Sequence, residues 1–235
     1  MRKTARPWPF LWLLLAACAP RASIPTLPAT APDAVTPEAG EWRLARTLAP
    51  VLYLQRDEPF RLERVVAVVH PERRLIAYHL LWQDDAHGAW LPFTTPTDQE
   101  LVWVGYDPSG SATDVWTYWH KTILHAEWTG RGQVAVDVQW GKHGSLPRGT
   151  PPERLPVTKS LDAFYLMTWM PPDLWLGALS GRGPACFCHG YSRYVEFANP
   201  VPLATRLDAV IRASDPDPAL RAIFGERYSK KDPWP

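Results

Sequence analysis

Short runs rich in apolar residues recur between residues 51 and 140, and the run over residues 134–140 alternates cleanly between apolar and polar positions, which is the spacing of a β-strand. Strands are predicted where β-branched and aromatic residues fill short runs that turn residues close. The predicted strands cover residues 51–54, 64–70, 74–82, 97–106, 114–120 and 134–140. Apolar residues occupy both faces of residues 74–82, so this segment is predicted to be a central, buried strand.

Helices are predicted both before and after this run of strands. Residues 41–48 predict a short helix that ends before Pro50. After a proline-rich connection, further helices are predicted over residues 161–170, 173–179, 202–213 and 218–224, with one more strand over 194–197. The fold class is therefore mainly β (α+β): a β-sandwich with short peripheral helices, most of them from the C-terminal third.

The first residues predict a targeting segment rather than part of the fold. A basic start precedes an apolar run over residues 10–17 that is too short to span a bilayer. The run ends in Leu15-Ala16-Ala17-Cys18, which resembles a bacterial lipobox. The resemblance implies that residues 1–17 are a signal peptide and that Cys18 carries a diacylglycerol and an acyl chain such as palmitate. An ordinary secretory signal cleaved nearby is the alternative.

The anchor sets the expected location and domain organisation. The protein is expected outside the cytoplasm, held by Cys18 in the cell membrane or the outer membrane. Residues 18–40 are rich in proline and alanine and predict a disordered tether, and residues 41–235 predict a single domain. Without Arg2, Lys3 and Arg6, Lys+Arg falls from 25 to 22 against 24 Asp+Glu. No basic patch stands out, so nucleic acid is not an expected partner.

Cys186 and Cys188 remain after the anchor cysteine is set aside. Three interpretations stay open for them: a disulfide between neighbours, two free thiols, or a metal site with His189. A tetrahedral zinc site needs a fourth ligand and usually a wider spacing.

Candidate chemistry lies at the strand ends. Asp98 and Glu100 point to the same side of one strand at the rim of an apolar core, where two like charges need a cation, a basic partner or a shared proton. Asp85 follows the central strand, His120 ends the strand predicted over residues 114–120, and His143 lies in the glycine bend after the strand predicted over residues 134–140. Carboxylate oxygens that converge there suit Ca²⁺, Mg²⁺ or Mn²⁺. The alternative is that the acids pair with Arg or Lys and the histidines are structural.

Two segments carry a family resemblance. Residues 49–60, APVLYLQRDEPF, resemble the opening of the vacuolar-protein-sorting-type domain of unknown function, which is distantly similar to necrosis-inducing proteins. Tyr78 with Asp85, and Asp98-Gln99-Glu100, resemble the metal-binding part of the necrosis-inducing hallmark. The chain departs from that hallmark at Thr95 and Thr97, where the hallmark has histidines, and at Gln99, where it has tryptophan. The resemblance implies a β-sandwich with a divalent cation in an acidic pocket formed by Asp85, Asp98 and Glu100.

Three functions follow as hypotheses. The first is a membrane-anchored lipoprotein of the binding or interaction type, whose cation site engages a glycan, a lipid headgroup or a protein. The second is a metal-dependent hydrolase that uses His143 or His120 as general acid or base. The third is a structural envelope protein without a metal, in which the carboxylates are paired internally.

Overall fold

The structure is a computed structural model, and it describes residues 31–56, 58–85, 95–130, 132–151, 154 and 197–235. The predicted signal peptide with Cys18, the helices predicted over 161–170 and 173–179, and the pair Cys186 and Cys188 lie outside the described residues. Within the described ranges, no helix has the length and apolar character needed to cross a membrane.

Strands dominate the described residues. In chain order, the elements are α1 (Gly40–Leu48), β1 (Val51–Gln55), β2 (Leu62–Val69), β3 (Leu75–Trp82), β4 (Gln99–Tyr106), β5 (Ala112–Trp119), β6 (Thr122–Glu127), β7 (Ala135–Val138), β8 (Ser145–Pro147), β9 (Phe197–Pro202), β10 (Leu207–Arg212) and α2 (Asp217–Phe224). Short 3₁₀ turns follow β9 and α2.

The strands form two sheets in the described part of the chain. The larger has six strands in the order β10-β2-β3-β4-β5-β6, antiparallel except for the β10–β2 pair. The smaller has four strands in the order β8-β7-β1-β9, in which β1 runs parallel to β7. The prediction of a mainly β fold with few short helices is confirmed.

The central strands of the large sheet, β2, β3 and β4, are largely buried on both faces, which explains why β3 carries apolar residues on both sides. On one face Tyr78, Leu80 and Val102 pack toward β1 and β7 of the small sheet. On the other face Leu81 and Trp103 pack against α2. The described part of the fold therefore has three layers: small sheet, large sheet and α2.

One predicted element is wrong. Residues 202–213 were predicted as a helix, but 207–212 form β10, parallel to β2. Val210 packs between the sheets while Ile211 packs against α2, so both strand faces are apolar and the spacing resembles that of a helix. The pattern also missed β6, an edge strand with an exposed face, and the three-residue β8.

Part of the predicted tether contacts the fold. Ala34 forms an isolated bridge with Ile211, and the Val35 amide donates a hydrogen bond of 2.9 Å to the Val210 carbonyl. Residues 33–35 therefore cover the outer edge of β10, which would otherwise expose unpaired backbone groups.

Candidate functional site

A cluster of charged side chains lies at one end of the large sheet, where β3 ends and β4 begins. The loop between β7 and β8 and the segment after α2 also reach this end. The charged cluster consists of four acids and three basic groups: Glu58, Asp85, Asp98, Glu100, Lys142, His143 and Lys231.

His143 lies at the centre of the charged cluster and is fully buried. Its Nδ1–H donates to Oδ2 of Asp98 at 2.5 Å, and its Nε2–H donates to Oε1 of Glu58 at 3.0 Å. The indole of Trp82 stacks on the imidazole with 4.0 Å between ring centroids and 6° between planes. Two carboxylates and an aromatic face all favour a positive charge on this ring.

The electrostatics of His143 follow from these contacts. Burial alone lowers the pKa of His143, but the charges of Glu58 and Asp98 outweigh it and raise the pKa to about 10. The imidazole is therefore protonated at neutral pH, and both of its nitrogens donate hydrogen bonds. A ring in that state has no lone pair with which to accept a proton or coordinate a metal.

A tight loop between β7 and β8 positions His143. The amide of His143 donates to the carbonyl of Gln139 at 3.0 Å, and the amide of Gln139 donates to the carbonyl of Gly144 at 2.9 Å. Gly141 has φ 65° and His143 has φ 57°, so a non-glycine residue occupies the left-handed region. That conformation costs on the order of 1–2 kcal/mol, and the ionic contacts of the ring offset it.

Glu58 connects this loop to β1. Its Oε2 accepts the amide of Gly141 at 2.9 Å, while its Oε1 accepts the amide of Phe60 at 3.1 Å as well as His143. The glutamate follows β1 in the turn that brings Phe60 edge-on to the imidazole. Glu58 thus fixes two loops and supplies one of the two charges that hold His143 protonated.

The other acids face separate cations. Oδ2 of Asp85 pairs with the ammonium of Lys142, which comes from the same loop as His143. Oε1 of Glu100 lies 3.1 Å from the ammonium of Lys231, which also donates to the carbonyl of Gln99. Asp85, Lys142 and Lys231 keep 17%, 12% and 14% of their side-chain surface exposed. These two pairs are therefore the accessible part of the charged cluster.

Glu100 has the least satisfied charge of the cluster. Its Oε2 is buried and has no hydrogen-bond partner among the described residues. Burial raises the pKa of Glu100 to about 7, the charge of Asp98 adds to the rise, and Lys231 opposes it. A buried polar atom without a partner costs about 1–3 kcal/mol, so this oxygen is the atom on which a ligand donor would gain most.

His120 lies beside the charged cluster at the two-residue turn between β5 and β6. Its Nε2–H donates to Oε1 of Gln139 at 2.6 Å. Burial lowers the pKa of His120 to about 4, with the hydrogen bond to Gln139 opposing. His120 and Lys121 have φ 44° and 71°, as a two-residue hairpin turn requires.

The segment after α2 holds this end of the sheet together through a buried arginine. Arg227 donates to the carbonyls of Trp82, Gln83 and Pro96 at 2.5, 3.0 and 2.9 Å, and to Oε2 of Glu63 at 2.5 Å. One planar guanidinium therefore connects the end of β3, through hydrogen bonds, to the residues that precede β4.

The structure brings the predicted residues to the same end of the sheet, but each acid has its own basic partner. Asp98 contacts His143, Asp85 contacts Lys142 and Glu100 contacts Lys231. The sequence pattern did not reveal Lys231, because it lies 131 positions from Glu100 in a segment without strand or helix spacing. Glu58 lies within residues 49–60, the segment that carries the family resemblance. That resemblance was the one sequence signal that could have pointed to Glu58.

The predicted cation ligands offer the oxygen atoms that a divalent metal prefers, but their negative charges are already balanced by basic side chains. Their carboxylate oxygens are the donors that hard cations prefer. However, Lys142, His143 and Lys231 already supply the positive charge that a metal would provide. Among the described residues, no group of three or more His, Cys, Asp or Glu side chains is arranged to hold a metal ion. The metal site stays a prediction.

No family model matches the chain, and no curated protein matches it. The structure is similar to solved structures of NLPPya, a necrosis and ethylene-inducing-like protein. The complex with glucosamine aligns at 13% identity and TM-score 0.36, and the complex with mannosamine at 12% and 0.37. Each alignment covers 53% of this chain and 74% of the NLPPya chain.

Proposed function

We propose that the chain is a lipid-anchored, extracytoplasmic binding protein whose charged cluster receives a polar ligand, a glycan or a lipid headgroup that carries an amino group. The observation that carries the proposal is the environment of Lys231. Its ammonium lies 3.1 Å from the Glu100 carboxylate, hydrogen-bonds the Gln99 carbonyl and sits 4.4 Å from the centroid of the Tyr118 ring. Charge, a carbonyl acceptor and an aromatic face together form a site for an ammonium group.

The cluster has unused binding capacity beside that ammonium. Oε2 of Glu100 is buried without a hydrogen-bond partner among the described residues, so a hydroxyl or amino group that donates to it relieves a desolvation cost. The partly exposed pair of Asp85 and Lys142 adds one negative and one positive charge to the accessible surface of the cluster. Such mixed polar groups suit a ligand with several hydroxyl groups.

The imidazoles favour binding over hydrolysis. A general acid or base works best when its pKa lies near the operating pH. Contacts with two carboxylates raise the pKa of His143 to about 10, and burial lowers that of His120 to about 4. The alternative of a metal-dependent hydrolase would therefore rely on Glu100, whose pKa burial raises to about 7. Turnover of phosphoester, ester or glycoside substrates that Glu100→Gln abolishes would establish that alternative.

The structural alternative also has a specific observation in its favour. Each predicted cation ligand is paired with a basic side chain, as expected of an envelope protein without a metal. Buried ion pairs are weak evidence for a stabilising role, because desolvation offsets much of their attraction. Binding measurements decide between these two interpretations.

The ligand test compares glucosamine with N-acetylglucosamine, which lacks the ammonium, by calorimetry on the full chain in detergent. Glucosamine is expected to bind at least tenfold more tightly, and Glu100→Gln is expected to abolish the difference. Lys231→Met should increase the affinity because it empties the ammonium site. Lys230→Met is the matched control, since Lys230 is exposed and pairs with Asp217. Equal affinities for the two sugars, or equal effects of the two lysine variants, would refute the proposal.

A divalent cation is a separate part of the proposal. Asp85, Asp98 and Glu100 would hold it, and it would fix the surrounding loops or bridge to the ligand. Calorimetry of the full chain with Ca²⁺, Mg²⁺ and Mn²⁺ tests it, with Asp98→Asn combined with Glu100→Gln as the variant. Binding that the double variant abolishes supports the site, and an unchanged affinity places the ion elsewhere.

The anchor is tested by membrane fractionation. We expect Cys18→Ala to move the protein from the membrane fraction to the soluble fraction. Membrane association that persists in this variant would contradict lipidation at Cys18.

A further inference from the structure

A second site lies at the edge pair of the large sheet, at the same end as the charged cluster but on β2 and β10 rather than on β3 and β4. A cavity of about 210 Å³ opens between residues 62–65 of β2 and residues 205–208 at the start of β10. Sites that enclose drug-sized ligands are roughly 300–1,000 Å³, so this cavity suits a ligand of one small ring or a single ionic group.

Two β-bulges lie at the cavity, one in β10 and one in β2. Leu207 pairs with Val65 and Ala209 with Val66, so Asp208 is an extra residue in β10. On the other side of β2 the register with β3 also shifts, between Leu62 and Arg64. Bulges bend a strand and redirect its side chains, and they are frequent beside functional sites. The bulge turns Asp208 onto the β2 backbone, where its Oδ2 accepts the Val65 amide at 2.7 Å.

The cavity has more positive than negative charge available. Nε of Arg64 is buried and has no hydrogen-bond partner among the described residues, while its Nη1 donates to the Ile223 carbonyl at 3.3 Å. Arg206 is exposed, and its positive charge acts on the carboxylate of Asp208. The nearby carboxylate of Glu63 is already engaged by Arg227 at 2.5 Å. Two guanidinium groups therefore face one carboxylate, that of Asp208.

This arrangement defines a ligand class. A guanidinium presents a planar fork of donors that matches the oxygens of a carboxylate or a phosphate. A buried N–H of Arg64 without an acceptor gains a partner when such an anion binds. Asp208 accepts hydrogen bonds, so it favours a hydroxyl group next to the anionic group.

We infer that the cavity between β2 and β10 binds a small hydroxylated anion, a sugar acid or a sugar phosphate, through Arg64 and Arg206. This site is independent of the ligand proposed for the charged cluster. Arg64 supplies the inner contact and Arg206 the exposed one. Asp208 selects for hydroxyl groups and weakens binding of anions that lack them.

The test is calorimetry on the full chain with D-glucuronate and glucose 6-phosphate, with glucose as the neutral probe. We expect at least one anion to bind and glucose to give no signal, and the stronger anion identifies the carboxylate or phosphate source. Arg206→Gln should weaken binding at least tenfold without affecting the fold, since Arg206 is exposed. Arg43→Gln is the matched control, because Arg43 is an exposed arginine on α1.

Several outcomes would overturn the inference. Absence of binding by both anions removes the site. Binding that Arg206→Gln leaves unchanged places the anion elsewhere, and an equal loss in Arg43→Gln indicates general charge attraction. Arg64→Lys tests the inner contact separately: retained folding with weaker binding supports the assignment, and unchanged affinity contradicts it.

Discussion

Replacing His143 with Gln tests whether the charged cluster is held together by a buried cation. The imidazole is fully buried between the carboxylates of Glu58 and Asp98, which lie 3.0 and 2.5 Å from its nitrogens. His143→Gln leaves both carboxylates buried without that cation. Removing one partner of a buried ion pair costs about 3–5 kcal/mol. With a denaturant slope of about 3 kcal/mol/M, the urea midpoint falls by roughly 1–2 M.

The pH dependence of the same variant gives a sharper readout. The pKa of His143 is about 10 in the folded state against about 6.5 in the unfolded chain. The stabilisation that its proton provides is complete below pH 6.5 and disappears as the pH rises through 10. The difference in unfolding free energy between wild type and His143→Gln should therefore be largest near pH 6 and shrink toward pH 10.

Urea unfolding followed by tryptophan fluorescence, at pH values from 6 to 10, measures this difference. His125→Gln is the control, because His125 is exposed and its ion pair with Asp114 is worth at most about 1 kcal/mol. Adding Asp98→Asn to His143→Gln should recover part of the loss, since it removes one uncompensated charge. A His143→Gln variant within 1 kcal/mol of wild type at pH 7, or a difference that does not shrink by pH 10, would refute the reasoning.

Three further predictions follow from other contacts. Arg227→Lys should destabilise the protein by about 3–5 kcal/mol in urea unfolding, because lysine cannot reach Trp82 and the other acceptors with one planar group; an unchanged midpoint would contradict it. Gly144→Ala should cost about 1–3 kcal/mol in thermal unfolding, since an added Cβ would lie 2.9 Å from Oε1 of Gln139. Burial lowers the pKa of His79 to about 3, so stability should fall as the pH drops from 6.5 toward 3, and His79→Gln should reduce that slope.

The central strands of the large sheet were predictable because burial on both faces leaves a strong signal in the sequence. β2, β3 and β4 are filled with Val, Leu, Tyr and Trp and end at turn residues, so their existence follows from local sequence. The same double burial misled the prediction for β10, where Val210 and Ile211 lie on opposite faces and yet fit a helical spacing. β6 escaped because an exposed edge strand has little burial to mark it.

The sequence predicts that the buried acids require a compensating positive charge, but it does not predict which residues supply that charge. Two carboxylates in an apolar strand require compensation, and physical chemistry alone says so for Asp98 and Glu100. The compensating groups are His143 and Lys231, 45 and 131 positions further along the chain. Nothing in the local pattern around either base indicates which acid it contacts, because that pairing depends on how the strands are ordered.

The position of Arg227 has a consequence for the order of folding. The guanidinium donates to acceptors up to 164 positions earlier in the chain. Arg227 follows, in sequence, every strand that the structure describes. A nascent chain can hold the strands of both sheets and still lack the group that satisfies Glu63 and the carbonyls at the end of β3. Synthesis must reach residue 227 before this end of the sheet can be completed, and contacts of such long range slow folding. A truncation before residue 227 would therefore keep the strands and leave Oε2 of Glu63 without its donor, and proteases should cleave this loosened end of the sheet more readily.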